Sequence, residues 1–238
     1  LPPIIAASTL RIPTAIHEQN AVMGRANRLL ARFVDRIGLS FMPTKLLAPE
    51  AQAKARLTGI PVRDAVLKFR DVPYTAPDAS SRLLLLVFGG SQGARFFSEA
   101  LPPALQRLPD DMRGRLKDNK ALPLLPERIA MAQLVIARAG ASTVAELTAI
   151  GRPCLLVPLP HALDNDQLEN ATRLQEVGGG WCVRQSELSA ERLAGMLQDL
   201  LSSPERLADA AKKAHGMATV DAVKRLADLV DELVKSKE

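Results

Sequence analysis

The segment LVIARAGASTVAEL, residues 134–147, combines a short apolar run, a tight turn and polar side chains that suit ligand binding. The apolar run is typical of a buried parallel strand, Gly140 interrupts it, and Ser142 and Thr143 open a helical pattern with Glu146 in its first turn. Such a turn presents backbone N–H groups and the positive end of a helix dipole to phosphates, and a nearby carboxylate can accept hydrogen bonds from ribose hydroxyls. The same residues could form a plain helix cap, so the pattern leaves a nucleotide site and a cap both open.

A second strand and glycine-rich turn occur in RLLLLVFGGSQG, residues 82–93. Five consecutive apolar residues predict a fully buried parallel strand. Gly90 and Gly93 let the phosphates of a ligand approach the backbone, and Ser91 adds a hydrogen-bond donor. Glycine-rich turns also occur without ligands, but the recurrence of the pattern strengthens the ligand interpretation of both turns.

Two clusters of polar residues follow other predicted strands. One is HEQN, residues 17–20, and the other is the loop PHALDNDQLENA, residues 160–171, which contains Gln167 and Asn170. The carboxyl ends of parallel strands are where α/β proteins place their active sites. A single His usually has a structural role and Asp164 or Asn165 could simply cap a helix, but the number of polar groups favours function.

Arg63 ends the turn TGIPVR, where its guanidinium could clamp an anion or lie on the surface. Residues 68–81, rich in proline, predict a linker between a first domain, residues 1–67, and a second, residues 82–218. The final helix, residues 219–238, is expected to pack back on the first domain.

The segment 109–126 does not fit a doubly wound domain. Another strand should follow the helix that ends near Leu108, but DDMRGRLKDNKALPLLP contains no convincing strand pattern. We therefore expect that a strand–helix–strand unit is missing here.

The amino-acid composition excludes some classes of protein and of binding partner. Hydrophobic residues make up 47% and charged residues 24% of the chain, which is typical of a folded globular protein rather than a disordered one. Aromatic residues make up only 3%, so the base-stacking surfaces of single-stranded nucleic-acid binders are not expected, and we predict no nucleic-acid partner. The net charge of +5 suits an anionic ligand or an anionic membrane surface.

Four arginines recur at helical spacing and would form a basic stripe: Arg25, Arg28, Arg32 and Arg36. A solvated helix face is the simplest explanation of such a stripe, and contact with phosphate or anionic lipid is the alternative.

The two cysteines, Cys154 and Cys182, lie in apolar runs without metal-ligand spacing. We expect buried, reduced thiols and no metal site. No apolar stretch approaches the roughly 20 residues that a membrane-spanning helix needs. The chain begins with Leu1 rather than Met, so we expect that native residues precede it.

Five segments in a fixed order point beyond the fold class: HEQN (17–20), TGIPVR (58–63), FGGSQGA (88–94), RAGASTVAEL (138–147) and PLPHALDNDQLENA (158–171). Together they closely resemble the MurG family of bacterial peptidoglycan N-acetylglucosaminyltransferases. Members transfer N-acetylglucosamine from UDP-N-acetylglucosamine to lipid I, the undecaprenyl-pyrophosphoryl-MurNAc-pentapeptide, giving lipid II. The resemblance, which spans His17 to about Val183, implies the same activity here.

The resemblance implies an α/β protein of GT-B type, with two Rossmann-like, doubly wound parallel-sheet domains and the sugar nucleotide in the cleft between them. It implies that Glu146 contacts the ribose, Arg63 and Ser91 the diphosphate, and Gln167 the donor sugar, while Asn20 faces the cleft from the first domain. The substrate-binding residues that it implies are Asn20, Arg63, Gly90, Ser91, Gln92, Arg138, Ala141, Ser142, Thr143, Glu146, Gln167 and Asn170.

The family inverts the anomeric centre by direct displacement, which needs a base for the acceptor hydroxyl. His17 is the candidate base. Neither a metal nor another cofactor is expected, since Arg63, helix dipoles and backbone N–H groups would balance the diphosphate charge. The GGTGGH-like loop of the family, with its favoured catalytic His, has no counterpart here, so we expect the first domain to be incomplete. Asp166 stands where members often carry His.

The resemblance further implies UDP-N-acetylglucosamine and lipid I as substrates, a peripheral position on the cytoplasmic face of the bacterial inner membrane, and cell-wall synthesis proteins as partners. A non-catalytic nucleotide-sugar-binding module, or an inactive fragment, is the main alternative. A nicotinamide-dependent oxidoreductase is disfavoured, because no GxGxxG motif opens a βαβ unit with an acidic residue about 20 positions later.

Overall fold

The computed structural model of the protein describes residues 2–78, 80–89, 94–117, 124–160 and 162–235. Two parallel sheets organise these residues. The first has three strands that pair in chain order: β1 (Ala15–Glu18), β2 (Arg36–Leu39) and β3 (Ala55–Leu57).

The second sheet has five parallel strands: β4 (Leu83–Phe88), β5 (Leu116–Lys117), β6 (Leu134–Ala137), β7 (Cys154–Leu156) and β8 (Gly180–Cys182). Their order across the sheet is β5-β4-β6-β7-β8, so the chain winds outward in both directions from β4 and β6. This is the doubly wound topology that places ligand sites where the winding direction reverses.

The described residues form twelve α-helices: α1 (Pro2–Thr9), α2 (Arg25–Leu30), α3 (Pro49–Gln52), α4 (Asp64–Leu67), α5 (Ala94–Gln106), α6 (Asp110–Arg115), α7 (Leu125–Met131), α8 (Ala141–Ile150), α9 (Asp166–Glu176), α10 (Ala190–Leu201), α11 (Pro204–Met217) and α12 (Ala222–Lys235). Two short 3₁₀ segments span Leu163–Asn165 and Gln185–Glu187. The last helix, α12, lies against β2 of the first sheet.

Strand β6 shows why the second sheet is buried on both faces. All four of its residues are inaccessible to solvent. Leu134 and Ile136 pack in one core with residues of α5 and α10, whereas Val135 packs in the other with Val144 and Leu147 of α8. Alternate side chains of a strand point to opposite faces, so an uninterrupted apolar run is required when helices cover both faces.

Arg152 attaches the segment between the two sheets to the second one. It is 1% exposed, and its guanidinium donates hydrogen bonds to five carbonyl groups, those of Val72, Pro73, Ala130, Ile150 and Gly151. The neighbouring Gly151 ends α8 with φ 70°, a left-handed conformation, and a Cβ atom there would lie 2.8 Å from Cβ of His215. A glycine is therefore required at the end of α8.

The structure corrects part of the expectation for residues 109–126. Leu116 and Lys117 form the short edge strand β5, paired with Leu83 and Leu84, so this segment does contribute a strand. Residues 118–123 lie outside the described residues. The missing strand–helix–strand unit stays a prediction, as do the domain boundaries.

Candidate functional site

The turn between β6 and α8 leaves the start of α8 open to a ligand. Gly140 is the N-cap residue, and α8 has no side-chain cap among the described residues. Ser142 and Thr143 lie inside the helix, which contradicts the plain-cap interpretation of this turn. The first N–H groups of a helix have no partner within it, so those of Ala141, Ser142 and Thr143 are available to an anion at the positive end of the dipole.

The sequence pattern predicted Glu146 in the first turn of α8, but it lies in the second turn. Its Oε1 accepts hydrogen bonds from Nε and Nη2 of Arg63, at 3.1 and 2.8 Å. The Glu146 side chain is 16% exposed and that of Arg63 65%. Arg63 is the N-cap residue of α4, which packs against α8. Two residues predicted to bind a diphosphate and a ribose therefore meet at one place, in an ion pair with each other.

A small cavity lies between the first sheet and α8, lined among others by Phe41, Ile60, Val144 and Met217. Its volume of about 40 Å³ is close to that of a single water molecule. A cavity of that size does not admit a nucleotide.

Arg138 joins the ends of β6 and β7. It is 7% exposed, and its Nη1 donates to the carbonyl groups of Val157 and Pro158, while Nη2 donates to Oε1 of Gln185 at 2.7 Å. Its guanidinium also stacks over two phenylalanine rings, those of Phe96 and Phe97. The substrate contact of Arg138 stays a prediction.

Gln167 lies in the first turn of α9, where its Oε1 accepts hydrogen bonds from the backbone N–H groups of Ala139 and Leu159, at 3.3 and 3.0 Å. These contacts fix the amide beside the β6–α8 turn. Among the described residues, no hydrogen bond involves its Nε2, so Nε2 is the group that could donate to a sugar hydroxyl.

Asn20 and Asn170 contact each other across the two sheets, with Asn170 Nδ2 donating to Asn20 Oδ1 at 3.0 Å. Asn20 is partly exposed, whereas Asn170 is fully buried. The substrate contact of Asn170 stays a prediction.

His17 is placed inside β1 rather than after it. Its Nε2 lies 2.9 Å from the carbonyl oxygen of Gly59 and 3.5 Å from Oγ of Ser40. Burial lowers the pKa of His17 below its ordinary value of 6.5, although the contact with Gly59 opposes this effect. Since a carbonyl group only accepts, this contact places a proton on Nε2, and Nδ1 is then the nitrogen of the neutral ring that can accept one. The role of His17 as the catalytic base stays a prediction.

Three predicted substrate-binding residues, Gly90, Ser91 and Gln92, lie outside the described residues, and so does His161. The structure therefore gives no geometry for the glycine-rich turn beyond Gly89.

Two acidic residues of the predicted polar clusters were not among the predicted site residues, although they hold neighbouring groups in place. Glu18 is 3% exposed and accepts hydrogen bonds around the turn after β1. Asp164, with φ 55°, accepts two hydrogen bonds from Arg28 and lies 3.8 Å from Arg25. The available signal for Glu18 was its place in the polar cluster at the end of β1. For Asp164 it was the crowded polar loop before α9.

These contacts also correct the predicted basic stripe. Arg28 and Arg25 reach across to the second sheet, so neither is simply a solvated charge. Arg36 begins β2 and does not belong to the helix at all.

Among the described residues, no group of three or more His, Cys, Asp or Glu side chains could hold a metal ion. The helices of this part of the chain are also too short or too polar to cross a membrane.

Comparison with family models identifies two matching regions. Residues 1–39 match the glycosyltransferase family 28 N-terminal domain, and residues 120–226 match the C-terminal domain of the same family. The second region contains the β6–α8 turn and α9.

Comparison with curated proteins gives high identity along the whole chain. The UDP-N-acetylglucosamine--N-acetylmuramyl-(pentapeptide) pyrophosphoryl-undecaprenol N-acetylglucosamine transferase of Brucella suis biovar 1 is 48% identical over 262 aligned residues, and that of Brucella abortus strain S19 is 47% identical. Each alignment covers 100% of this chain and 69% of the relative. The alignment with the Brucella suis relative spans 262 positions against the 238 residues of this chain, so it contains positions that this chain lacks.

Solved structures with the same fold include MurG of Acinetobacter baumannii, with a TM-score of 0.77 and 28% identity over 97% of this chain and 70% of the other. A glycotransferase of kitacinnamycin, with a TM-score of 0.62 and 17% identity, shares the fold over 98% of this chain and 73% of its own. These neighbours confirm the predicted GT-B architecture.

The relatives also favour a glycosyltransferase over the nicotinamide-dependent oxidoreductase and the non-catalytic module. The two family models, the identity of 48% along the chain and the uncapped helix beside Glu146 agree with one another. The chain belongs to the MurG family of N-acetylglucosamine transferases, within glycosyltransferase family 28.

Proposed function

We propose that this chain binds UDP-N-acetylglucosamine at the β6–α8 turn and transfers N-acetylglucosamine to lipid I, giving lipid II in peptidoglycan synthesis. The single observation that carries the donor site is the meeting of Arg63 and Glu146 beside the uncapped start of α8. The names of the curated relatives support the reaction.

The charges at this place suit a nucleoside diphosphate. The guanidinium of Arg63 can donate two parallel hydrogen bonds to phosphate oxygens, and the N–H groups of Ala141, Ser142 and Thr143 add the positive end of the α8 dipole. Glu146 is the carboxylate within reach of the ribose hydroxyls. Neutralising the diphosphate also assists its departure, because negative charge develops on UDP as the glycosidic bond breaks.

The first sheet would face the acceptor and the membrane. Helix α2 and the turn after it expose Leu29 and Phe33, at 45% and 42%, close in sequence to Arg25 and Arg32. Basic side chains next to exposed apolar ones suit peripheral contact with an anionic membrane surface. This supports a peripheral position on the cytoplasmic face of the inner membrane, where cell-wall synthesis proteins would be partners.

The proposed reaction is tested by incubating the chain with radiolabelled UDP-N-acetylglucosamine and a lipid I analogue in detergent, and following transfer of label to the lipid. We expect transfer that is lost in Glu146→Ala and kept in Glu205→Ala, an exposed acidic residue of α11. Binding of the nucleotide without any transfer would instead support a non-catalytic binding module.

A further inference from the structure

A second cavity lies between α11 and the linker that follows α4. Its volume is about 450 Å³, and its lining includes Arg70 and Tyr74 of the linker, Arg152 after α8, and Lys212 and His215 of α11. We call it the linker pocket. Small-molecule sites have volumes of about 300 to 1,000 Å³, so the linker pocket is large enough for a ligand.

The charge beside the linker pocket is positive and unbalanced. Arg152 is 1% exposed, and the five groups that accept hydrogen bonds from its guanidinium are neutral carbonyls. Arg70 also donates to a carbonyl group, that of Ala149 at 3.3 Å. Within the described part of the chain, neither arginine forms an ion pair. A guanidinium stays protonated when it is buried and is screened less there than in water, so both charges act on the pocket.

The negative groups nearby do not cancel this charge. The end of a helix carries partial negative charge on its last carbonyls, but those of residues 149–151, at the end of α8, already accept hydrogen bonds from Arg70 and Arg152. Among the described lining residues, Asp71 alone is acidic, and it is exposed to solvent. The linker pocket therefore favours an anion.

Two further donors line the pocket without partners of their own. Lys212 forms no ion pair with any described residue, whereas the neighbouring Lys213 pairs with Asp209 at 2.6 Å. The ring of His215 packs against Gly151, where a Cβ atom would lie 3.0 Å from Cδ2 of His215. The ring nitrogens make no hydrogen bond to another described residue. An anion in the pocket would thus find both side chains uncommitted.

We infer that the linker pocket binds a phosphorylated small molecule, with its phosphate held by Arg70, Lys212 and His215. A phosphate is favoured over a carboxylate, because its charge of up to two and its three acceptor oxygens match these three donors. Val72 and Pro73 supply an apolar wall for the organic part of the ligand. Since Arg70 belongs to the linker and Lys212 to α11, the ligand would tie the linker to the second sheet.

The inference goes beyond the proposed function. None of the described lining residues of the linker pocket is among the residues predicted to bind substrate. The two sites can therefore be tested separately.

The test uses phenyl phosphate as the probe and benzoate, which carries a carboxylate on the same ring, as the comparison. NMR follows the histidine ring signals of the isotope-labelled chain at constant pH and ionic strength, and His215→Gln assigns the signals of His215. We expect these signals to shift and saturate with phenyl phosphate, while those of His17 in β1 stay unchanged. Benzoate should bind at least about fivefold more weakly.

Lys212→Met and Arg70→Met should each weaken phenyl phosphate binding about tenfold, because each removes a charge-assisted hydrogen bond. Lys213→Met is the matched control, since it removes the same charge from the next residue of α11, and it should weaken binding less than about threefold. Arg63→Met should have an effect as small as that of Lys213→Met, which separates this site from the diphosphate contact of the proposed function.

A shift of the His215 signals that grows without saturation, or equal weakening in Lys212→Met and Lys213→Met, would overturn the inference, because either result reduces the effect to general charge screening. Benzoate that binds as tightly as phenyl phosphate would overturn the assignment of a phosphate. A chain that binds no uridine nucleotide would contradict the proposed function and leave these titrations unchanged, so the two failures are distinguishable.

Discussion

Arg63 and Glu146 are paired with each other, although the proposed function gives each a different part of the same ligand. Nη2 of Arg63 lies 2.8 Å from Oε1 of Glu146, and the two residues are 83 positions apart in the sequence. Under that proposal, a diphosphate that took over the guanidinium would free the carboxylate for the ribose.

The first prediction concerns Arg63→Met. We expect UDP to bind about tenfold more weakly than to the wild type, because a charge-assisted bidentate contact with phosphate is lost. Uridine should bind at least as well as to the wild type, because Glu146 no longer has to leave its ion-pair partner. Titration of both ligands by calorimetry measures this.

Arg206→Met is the matched control, since it removes the arginine of another surface ion pair, with Asp199, far from the site. Both variants should lose less than about 1 kcal/mol of unfolding free energy, as exposed pairs contribute little. A parallel loss of uridine and UDP binding in Arg63→Met would count against the site.

The second prediction concerns Arg152→Met. The substitution leaves five carbonyl groups without their donor in a buried place, so we expect a loss of about 3 kcal/mol of unfolding free energy in urea titrations. Arg192→Met removes the arginine of a half-exposed surface ion pair, and it should change the unfolding free energy by less than about 1 kcal/mol. Similar losses in the two variants would show that Arg152 does not hold the linker.

The third prediction follows from Cys154. Burial raises the pKa of its thiol from 9.0 to about 12. The folded state favours the neutral thiol, so the resulting stability is fully present below pH 9 and is lost as the pH rises from 9 toward 12.

Urea titrations at pH 8 and pH 10 measure how much unfolding free energy is lost between these two pH values. The loss should be larger for the wild type than for Cys154→Ala by roughly 1 kcal/mol, since one pKa unit corresponds to about 1.4 kcal/mol. Tyr74 is present in both proteins, so its own raised pKa cancels in the difference. Equal losses would show that the thiol is not buried as described.

The fourth prediction concerns His17, whose pKa is lowered mainly by burial. The folded state disfavours the imidazolium, so stability is present above the ordinary pKa of 6.5 and is lost as the pH falls below it. NMR titration should place the pKa of His17 below 6.5. His17→Gln should lose less stability than the wild type between pH 7 and pH 5, and a larger loss would contradict the assigned environment.

Local sequence patterns predicted β4, β6, β7 and β8 of the second sheet but not the short edge strand β5. The β6–α8 turn was predictable because an uninterrupted apolar run followed by Gly140 has few other structural solutions. Local patterns also identified Arg63 and Glu146 as residues suited to ligand binding. They could not predict that these two residues pair, since that contact depends on how α4 packs against α8.

For Arg138 and Asn170, local patterns could not predict the surroundings of the side chain. Arg138 directly follows β6 and Asn170 lies in α9, where the sequence pattern favoured ligand binding, but Arg138 is stacked on Phe96 and Phe97 and Asn170 is buried between the sheets. Nothing in the local sequence distinguishes a polar residue that faces a ligand from one that holds two turns together. The geometry of their partners decides between the two roles.

The most direct test of the account is a calorimetric titration of the chain, and of Glu146→Ala, with UDP-N-acetylglucosamine, UDP and NAD. The account predicts that the wild type binds both uridine nucleotides and not NAD, that Glu146→Ala weakens both by about tenfold or more, and that Glu205→Ala changes neither. A folded wild-type chain that binds no uridine nucleotide, or a Glu146→Ala variant that binds them as tightly as the wild type, would contradict the donor site at the β6–α8 turn.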